Sequence, residues 1–243
     1  MLAALGARLL DADGLDLPDG GATLADLAWL DLSGLDPRLA TTRLVLAADV
    51  DSPLLGPTGA AAVFAPQKGA TAADVMVLEA ALTRWAEAVT TALRSSGPTA
   101  GVASPHQLPG SGAAGGVGLA LLAVLGAERR SGVDVVLDMV GLDDVLPGAG
   151  LVVTGEGALD AQTLAGKAVA GVARRARAHG IPVVAVCGRC DLDEAGLAAL
   201  GVAAAYPLTD LEPESARAMS DARELVRRSG ARIARDWLSD PRR

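Results

Sequence analysis

Apolar residues recur along this chain at two different periods. Val75, Leu78, Leu82, Trp85 and Val89 fall three or four positions apart, the spacing of one helical face. They predict a helix over 71–94, with Thr71 or Asp74 as its cap. Short runs without polar interruption read instead as strands covered on both sides. Leu44–Ala48, Leu151–Thr154, Pro182–Cys187 and Val202–Tyr206 are such runs. Helical patterns separate the last three: Asp160–His179, stopped by Gly180, and Leu192–Leu200. A long helix over Pro213–Leu238 closes the chain. This alternation predicts an α/β fold, a parallel sheet with helices on its faces.

The first half is less regular. Leu2, Leu5, Leu9 and Leu10 follow helical spacing and predict a helix that starts at Met1 without a cap and ends at the Asp11–Gly14 turn. Residues 14–42 and 53–59 read as loops, and Ala60–Phe64 as a short strand or turn. The Ser/Gly/Pro-rich segment 95–111 is the best linker, which places the domains at 1–108 and 109–243. Gly116–Ala127 reads as a buried helix, since its length of ~18 Å falls short of a ~30 Å hydrocarbon core.

Composition narrows the picture. Of 243 residues 51% are apolar but only 2% aromatic, so the core is built from Ala, Leu and Val, which suits close helix–sheet packing. A net charge of −8 argues against nucleic acid or an anionic membrane as partner. Two cysteines and two histidines make no disulfide framework, and no signal peptide is visible, so the cytoplasm is the expected compartment.

Lysine carries more information. It occurs at Lys68 and Lys167 alone, against nineteen arginines, each time beside glycine and near a glutamine, Gln67 or Gln162. A compact ammonium on a flexible stem suits phosphate binding, and a guanidinium fork replaces it poorly. A general thinning of residue types would also leave two lysines behind.

The densest polar cluster follows the Leu151–Thr154 run: Thr154-Gly155-Glu156-Gly157, then Asp160, Gln162, Thr163 and Gly166-Lys167. The strand is expected to end at Thr154, the glycines to turn the chain, and a helix to start at Asp160. Ligands of open parallel sheets gather there, and a helix start favours anions. Asp160 reads equally well as an ordinary cap. The segment is no P-loop, because Ala161 and Ala168 stand where that pattern needs Gly and Ser or Thr. Gly110, Gly112 and Gly115 form a G-x-G-x-x-G before a helix, but no strand precedes them, so a dinucleotide site is weakly supported. The loop suits a phosphate or carboxylate, or simply close packing. Asp49 and Asp51 lie after a strand, where a base, a metal ligand or a turn cap is placed. Cys187-Gly188-Arg189-Cys190 reads as a strand-end turn.

With these segments in order, the chain resembles the bacterial glycerate kinases that lack a P-loop. The resemblance rests on Asp49-Val50-Asp51-Ser52-Pro53-Leu54-Leu55-Gly56-Pro57, on Pro66-Gln67-Lys68-Gly69-Ala70, on Pro109–Gly118, and on Thr154–Gly157 with Asp160, Gln162, Thr163, Gly166 and Lys167. It implies a Rossmann-like α/β domain beside a second, smaller α/β domain, and transfer of the γ-phosphoryl of ATP, with Mg²⁺, to a hydroxyl of glycerate. Family members usually have Asn where Ser52 stands. They also carry N-terminal glycine-rich loops that precede the position of Met1, so both domains are expected to be incomplete here.

Under this reading Glu156 and Asp160 hold Mg²⁺ or orient the acceptor, and Lys68 and Lys167 meet phosphate or carboxylate oxygens. Asp49 is a candidate base. Gln67, Gly110, Ser111, Gly112, Gly115, Thr154, Gly155, Gln162 and Thr163 contact substrate or phosphate. The expected partner is the small molecule glycerate, with a homo-oligomer as a further option. The alternatives are a non-catalytic remnant that needs its missing segment or a partner chain, and a dinucleotide-dependent oxidoreductase.

Overall fold

The computed structural model describes residues 1–95, 104–165 and 168–239. Contacts divide the chain into two compact units, Met1–Arg130 and Ser131–Arg243.

In the first unit, β1 (Arg8–Leu10) pairs antiparallel with β2 (Trp29–Asp31). This corrects the helix expected from Met1. A single turn over Ala3–Leu5 stops at Gly6, and Leu9 then faces Leu30 across the ladder. β3 (Val45–Ala47) lies where the apolar run predicted it. Ala60–Phe64 is helix α1, not a strand, and α2 spans Ala72–Ser95. At its start the Thr71 hydroxyl donates to Asp74 and the Asp74 N–H donates back to Thr71 Oγ1, at 2.7 and 3.2 Å. Thr71→Ala is expected to cost about 1 kcal/mol of stability, read from urea unfolding; an unchanged midpoint would show that the cap contributes nothing.

Leu82, Trp85 and Val89 of α2 are buried with Leu27, Leu54 and Leu119 in the core of this unit. The predicted helix over 116–127 is real but irregular. It runs as α3 (Val117–Leu119) and continues as a wider turn over Ala120–Val124. β4 (Glu128–Arg130) then pairs parallel with β3. That pairing joins the segment 109–130 to the first unit.

The second unit opens with α4 (Gly132–Met139) and α5 (Leu142–Val145). Then β5 (Val152–Leu159), α6 (Ala168–Ala178), β6 (Val183–Cys190), α7 (Glu194–Leu200) and β7 (Ala204–Pro207) alternate. The strands form one parallel sheet in the order β5-β6-β7. Both faces of β6 are covered, which is why its sequence is apolar without alternation. Val183, Ala185 and Cys187 pack with Val169, Ala173 and Ala176 of α6. Val184 packs on the other face with Ile233 and Trp237 of the closing helix. The expected parallel α/β layering with helices on both faces is therefore observed in this unit. The closing helix is interrupted: α8 (Ser215–Ser220) ends before α9 (Ala222–Leu238) begins. Ser220 Oγ donates to the Arg217 carbonyl at 3.0 Å, a local competitor of helical hydrogen bonds. Among the described residues no helix is long and apolar enough to cross a membrane.

Candidate functional site

The chemistry-bearing residues fall into two groups, one within each unit.

In the second unit β5 does not stop at Thr154. It stays paired with β6, so Thr154, Gly155 and Glu156 lie in the ladder opposite Ala185, Val186 and Cys187. Gly155 lies where the two strands approach closely, and neither it nor Gly157 turns the chain. A Cβ on Gly155 would stand 2.2 Å from the Val186 carbonyl oxygen. Nor does Asp160 cap the long helix, which starts at Ala168. Its Oδ1 accepts the Gln162 N–H at 2.8 Å in a local turn, and a tight turn over Thr163–Ala165 follows. Lys167 and Gly166 lie outside the described residues.

Thr163 ties this group together. It is fully buried, its hydroxyl donates to Glu156 Oε1, and it accepts the Asp160 N–H at 3.2 Å. Glu156, Asp160, Gln162 and Thr163 are thus brought together, with Thr163 as the internal post. Thr163→Val removes a hydrogen bond to a carboxylate and strands the Asp160 N–H. A loss of about 1–3 kcal/mol is expected in chemical denaturation, and no change in the midpoint would remove Thr163 from this role.

Cys187 lies beside Glu156 across the ladder. Burial first, then the neighbouring Cys190 and the nearby charges of Asp210 and Glu156, push its thiol up to about 12. It is a neutral wall group, not a nucleophile. The C-x-x-C lies inside β6, not in a turn after it, and both cysteines are free. Next to them is a cavity of about 520 Å³, bounded by Glu156, Gly157, Val186 and Cys187 on the sheet side and by Leu208 and residues of α8 and α9 on the other.

In the first unit the loop after β3 meets the glycine-rich loop. The Gly112 N–H donates to the Ser52 carbonyl at 3.0 Å, and a Cβ there would stand 2.2 Å from the Pro53 carbonyl. Ser111 is buried with its hydroxyl on the His106 carbonyl at 2.8 Å, so its side chain points inward. Ala114, Gly115 and Gly116 form one left-handed turn, with φ of 49°, 65° and 94°. Ala114 is the one non-glycine residue with positive φ among the described residues. Such a conformation costs roughly 1–2 kcal/mol and often marks a functional loop. A short turn, Pro105–Gln107, lies upstream of Gly110 where a dinucleotide fold would place a strand. Helix α1 packs on the glycine-rich turn and leads into Pro66–Lys68, where Gln67 and Lys68 are exposed.

Asp49 and Asp51 follow β3, and Asp51 accepts from Arg129 at 2.5 Å. Arg129 also donates to the carbonyls of Ala48 and Val50, at 3.4 and 3.3 Å. It clamps the strand-end loop, yet the sequence pattern missed it, because Glu128-Arg129-Arg130 has no apolar signature of a strand. Glu79 was missed likewise: it lies on the polar side of the α2 pattern and accepts the Gly56 N–H at 2.6 Å, pinning the same loop. No local sequence signal marks Glu79, because its partner Gly56 lies 23 residues away.

Among the described residues no three His, Cys, Asp or Glu side chains are grouped to hold a metal. Mg²⁺ is usually bound by one or two carboxylates plus substrate phosphates, not by a full protein cage. Glu156 and Asp160 each keep one carboxylate oxygen outside any hydrogen bond among the described residues, a donor set that fits that mode.

The sequence signature of the glycerate kinase family matches residues 1–238. A glycerate kinase of Bacillus subtilis (strain 168) is 39% identical over 234 residues, covering 96% of this chain and 59% of its own length. A glycerate 2-kinase of Escherichia coli (strain K12) is 42% identical over 188 residues, covering 77% and 47%. A crystal structure from Salmonella typhimurium LT2, described as a glycerate kinase 2, matches with a TM-score of 0.71 at 40% identity. That match covers 97% of this chain and 60% of the other. The chain thus spans about half to three fifths of the length of these relatives.

Proposed function

The chain belongs to the glycerate kinase family, and from that premise we propose that it carries phosphoryl transfer from ATP to a hydroxyl of glycerate, in the cytoplasm. The observation that supports this most is the Glu156–Thr163–Asp160 network at the carboxyl end of β5, where a parallel sheet collects ligands.

In the reaction the glycerate hydroxyl oxygen bonds to Pγ, the bond from Pγ to the β–γ bridging oxygen breaks, and ADP departs. Such a transition state asks for positioning and charge neutralisation more than covalent help. Glu156 and Asp160 would hold Mg²⁺, which when bound supplies neutralisation of the phosphate charge. Thr163 holds Glu156 in place. Lys68 and Lys167 are the proposed contacts to phosphate or carboxylate oxygens, and Gln67 and Gln162 are further proposed contacts. Within the first unit the loop from Gly110 to Gly116 is the proposed substrate or phosphate contact, although its Ser111, Gly112, Ala113 and Gly115 N–H groups already donate to backbone carbonyls, and Asp49 is the proposed base.

The test is ADP formation by the purified chain, dependent on both glycerate and Mg²⁺. Turnover by this chain alone supports the proposal and removes the reading of a non-catalytic remnant. Absence of turnover, with turnover restored by the remaining length of a relative supplied in trans or by fusion, assigns the activity to the longer protein. Absence in both arms overturns the proposal.

A further inference from the structure

We propose that the cavity between the ends of β5 and β6 and the α8–α9 break is the pocket for the purine base of a nucleotide. This deepens the function proposed above and rests on it only for the nucleotide being a substrate.

The cavity measures about 520 Å³, within the roughly 300–1,000 Å³ range of small-molecule pockets. Much of its lining is apolar: Val186, Leu208, Ala218, Met219, Ala222 and Val226. Met219 is 80% exposed and Val226 48%, so two large apolar side chains face water beside an open cavity. A ligand covering them would remove that exposure. The α8–α9 break shapes the slot, because residues before and after Asp221 both line it.

The chemistry of the walls selects the ligand. The cationic lining residue, Arg189, is engaged by Asp191 in an ion pair, and Glu156 adds a negative charge. Cys187 is neutral. The cavity therefore suits neither a phosphate nor glycerate, which are small, polar and anionic. A flat, neutral heterocycle fits: the alanines leave space for a ring, and the Met219 thioether is a good partner for an aromatic face. The Thr209 and Ser215 hydroxyls in the lining can exchange hydrogen bonds with ring nitrogens. Glu156 and Gly157 line the same cavity, so a base seated here would direct its phosphates toward the carboxylate network.

The experiment uses the full chain and three probes: ADP with Mg²⁺, adenosine, and inorganic tripolyphosphate. Photolabelling with 2-azido-ADP is expected to modify residues 218–227, and excess adenosine to suppress the label. Ala222→Phe, which fills the slot, should weaken ADP binding at least tenfold and leave tripolyphosphate binding unchanged. Met219→Ala, a mild change in the lining, guards against a folding defect and should weaken ADP a few-fold. A label within Met1–Arg130, equal losses for ADP and tripolyphosphate in both variants, or no ADP binding by the unsubstituted chain would overturn the proposal. The two readings separate cleanly. Labelling of 218–227 without glycerate turnover leaves the base pocket standing, and turnover with the label elsewhere removes the pocket alone.

Discussion

Glu156→Gln is expected to lower glycerate-dependent ADP formation by about 10²–10³-fold, the scale of losing one preorganised electrostatic group in a phosphoryl-transfer site. The substitution keeps the shape of the side chain. The Thr163 hydroxyl still finds an oxygen acceptor on the amide, so the local turn survives. What disappears is one negative charge beside the proposed Mg²⁺. The half-saturating Mg²⁺ concentration should therefore rise along with the fall in kcat, a pairing that a merely structural residue would not give. If kcat stays within about threefold of the unsubstituted protein, Glu156 makes no contact specific to the transition state. The measurement is made in whichever form turns over, the chain alone or the chain completed to the length of its relatives.

Gly155→Ala should produce the second large effect, this time on stability. Its new Cβ would lie 2.2 Å from the Val186 carbonyl oxygen, which belongs to the backbone of the neighbouring strand and cannot rotate away. β5 and β6 must separate locally. A loss of about 1–3 kcal/mol is expected, in the range of overpacking a tight interior. Gly157 supplies the control. It lies two residues along the same strand, and a Cβ there meets nothing within 4 Å. Gly157→Ala should leave the urea midpoint nearly unmoved. Equal midpoints for the two variants would show that strand separation costs nothing here, and would contradict the close approach.

Gly155 also shows where the sequence was legible and where it was not. The sequence pattern assigns the glycine to a strand-end turn, but such a turn and a close backbone approach leave the same letter. Only the pairing partner distinguishes them, and that partner lies about thirty residues away in β6. Apolar runs located β3, β5, β6 and β7, but the coverage on both faces that explains such a run holds for β6, whereas Val45 of β3 and Val153 of β5 are exposed. The same logic hid β4, whose three residues are all charged. The leucines of the first ten residues gave a helical period by coincidence; Leu9 in fact answers Leu30 across an antiparallel pair. In the site, Glu156, Asp160 and Thr163 were recognised as a group, whereas the role of Thr163 as a buried post needed its exposure and its partners. Arg129 and the α8–α9 cavity depend on contacts distant in sequence and left no local trace.

The strand registers carry a consequence for the order of folding. Val152 pairs with Val183, and one crossover helix supplies the connection. Val45 pairs with Glu128, and most of the first unit intervenes. Closing the longer loop costs roughly 0.9 kcal/mol more chain entropy before any contact repays it. Non-local pairing also slows folding in general. Hydrogen-exchange labelling during refolding would read this order, as protection of β6 amides ahead of those in β3. The half of the molecule that bears Glu156 would then be in place first, and the loop of Asp49 and Asp51 would be the last to lose its conformational freedom.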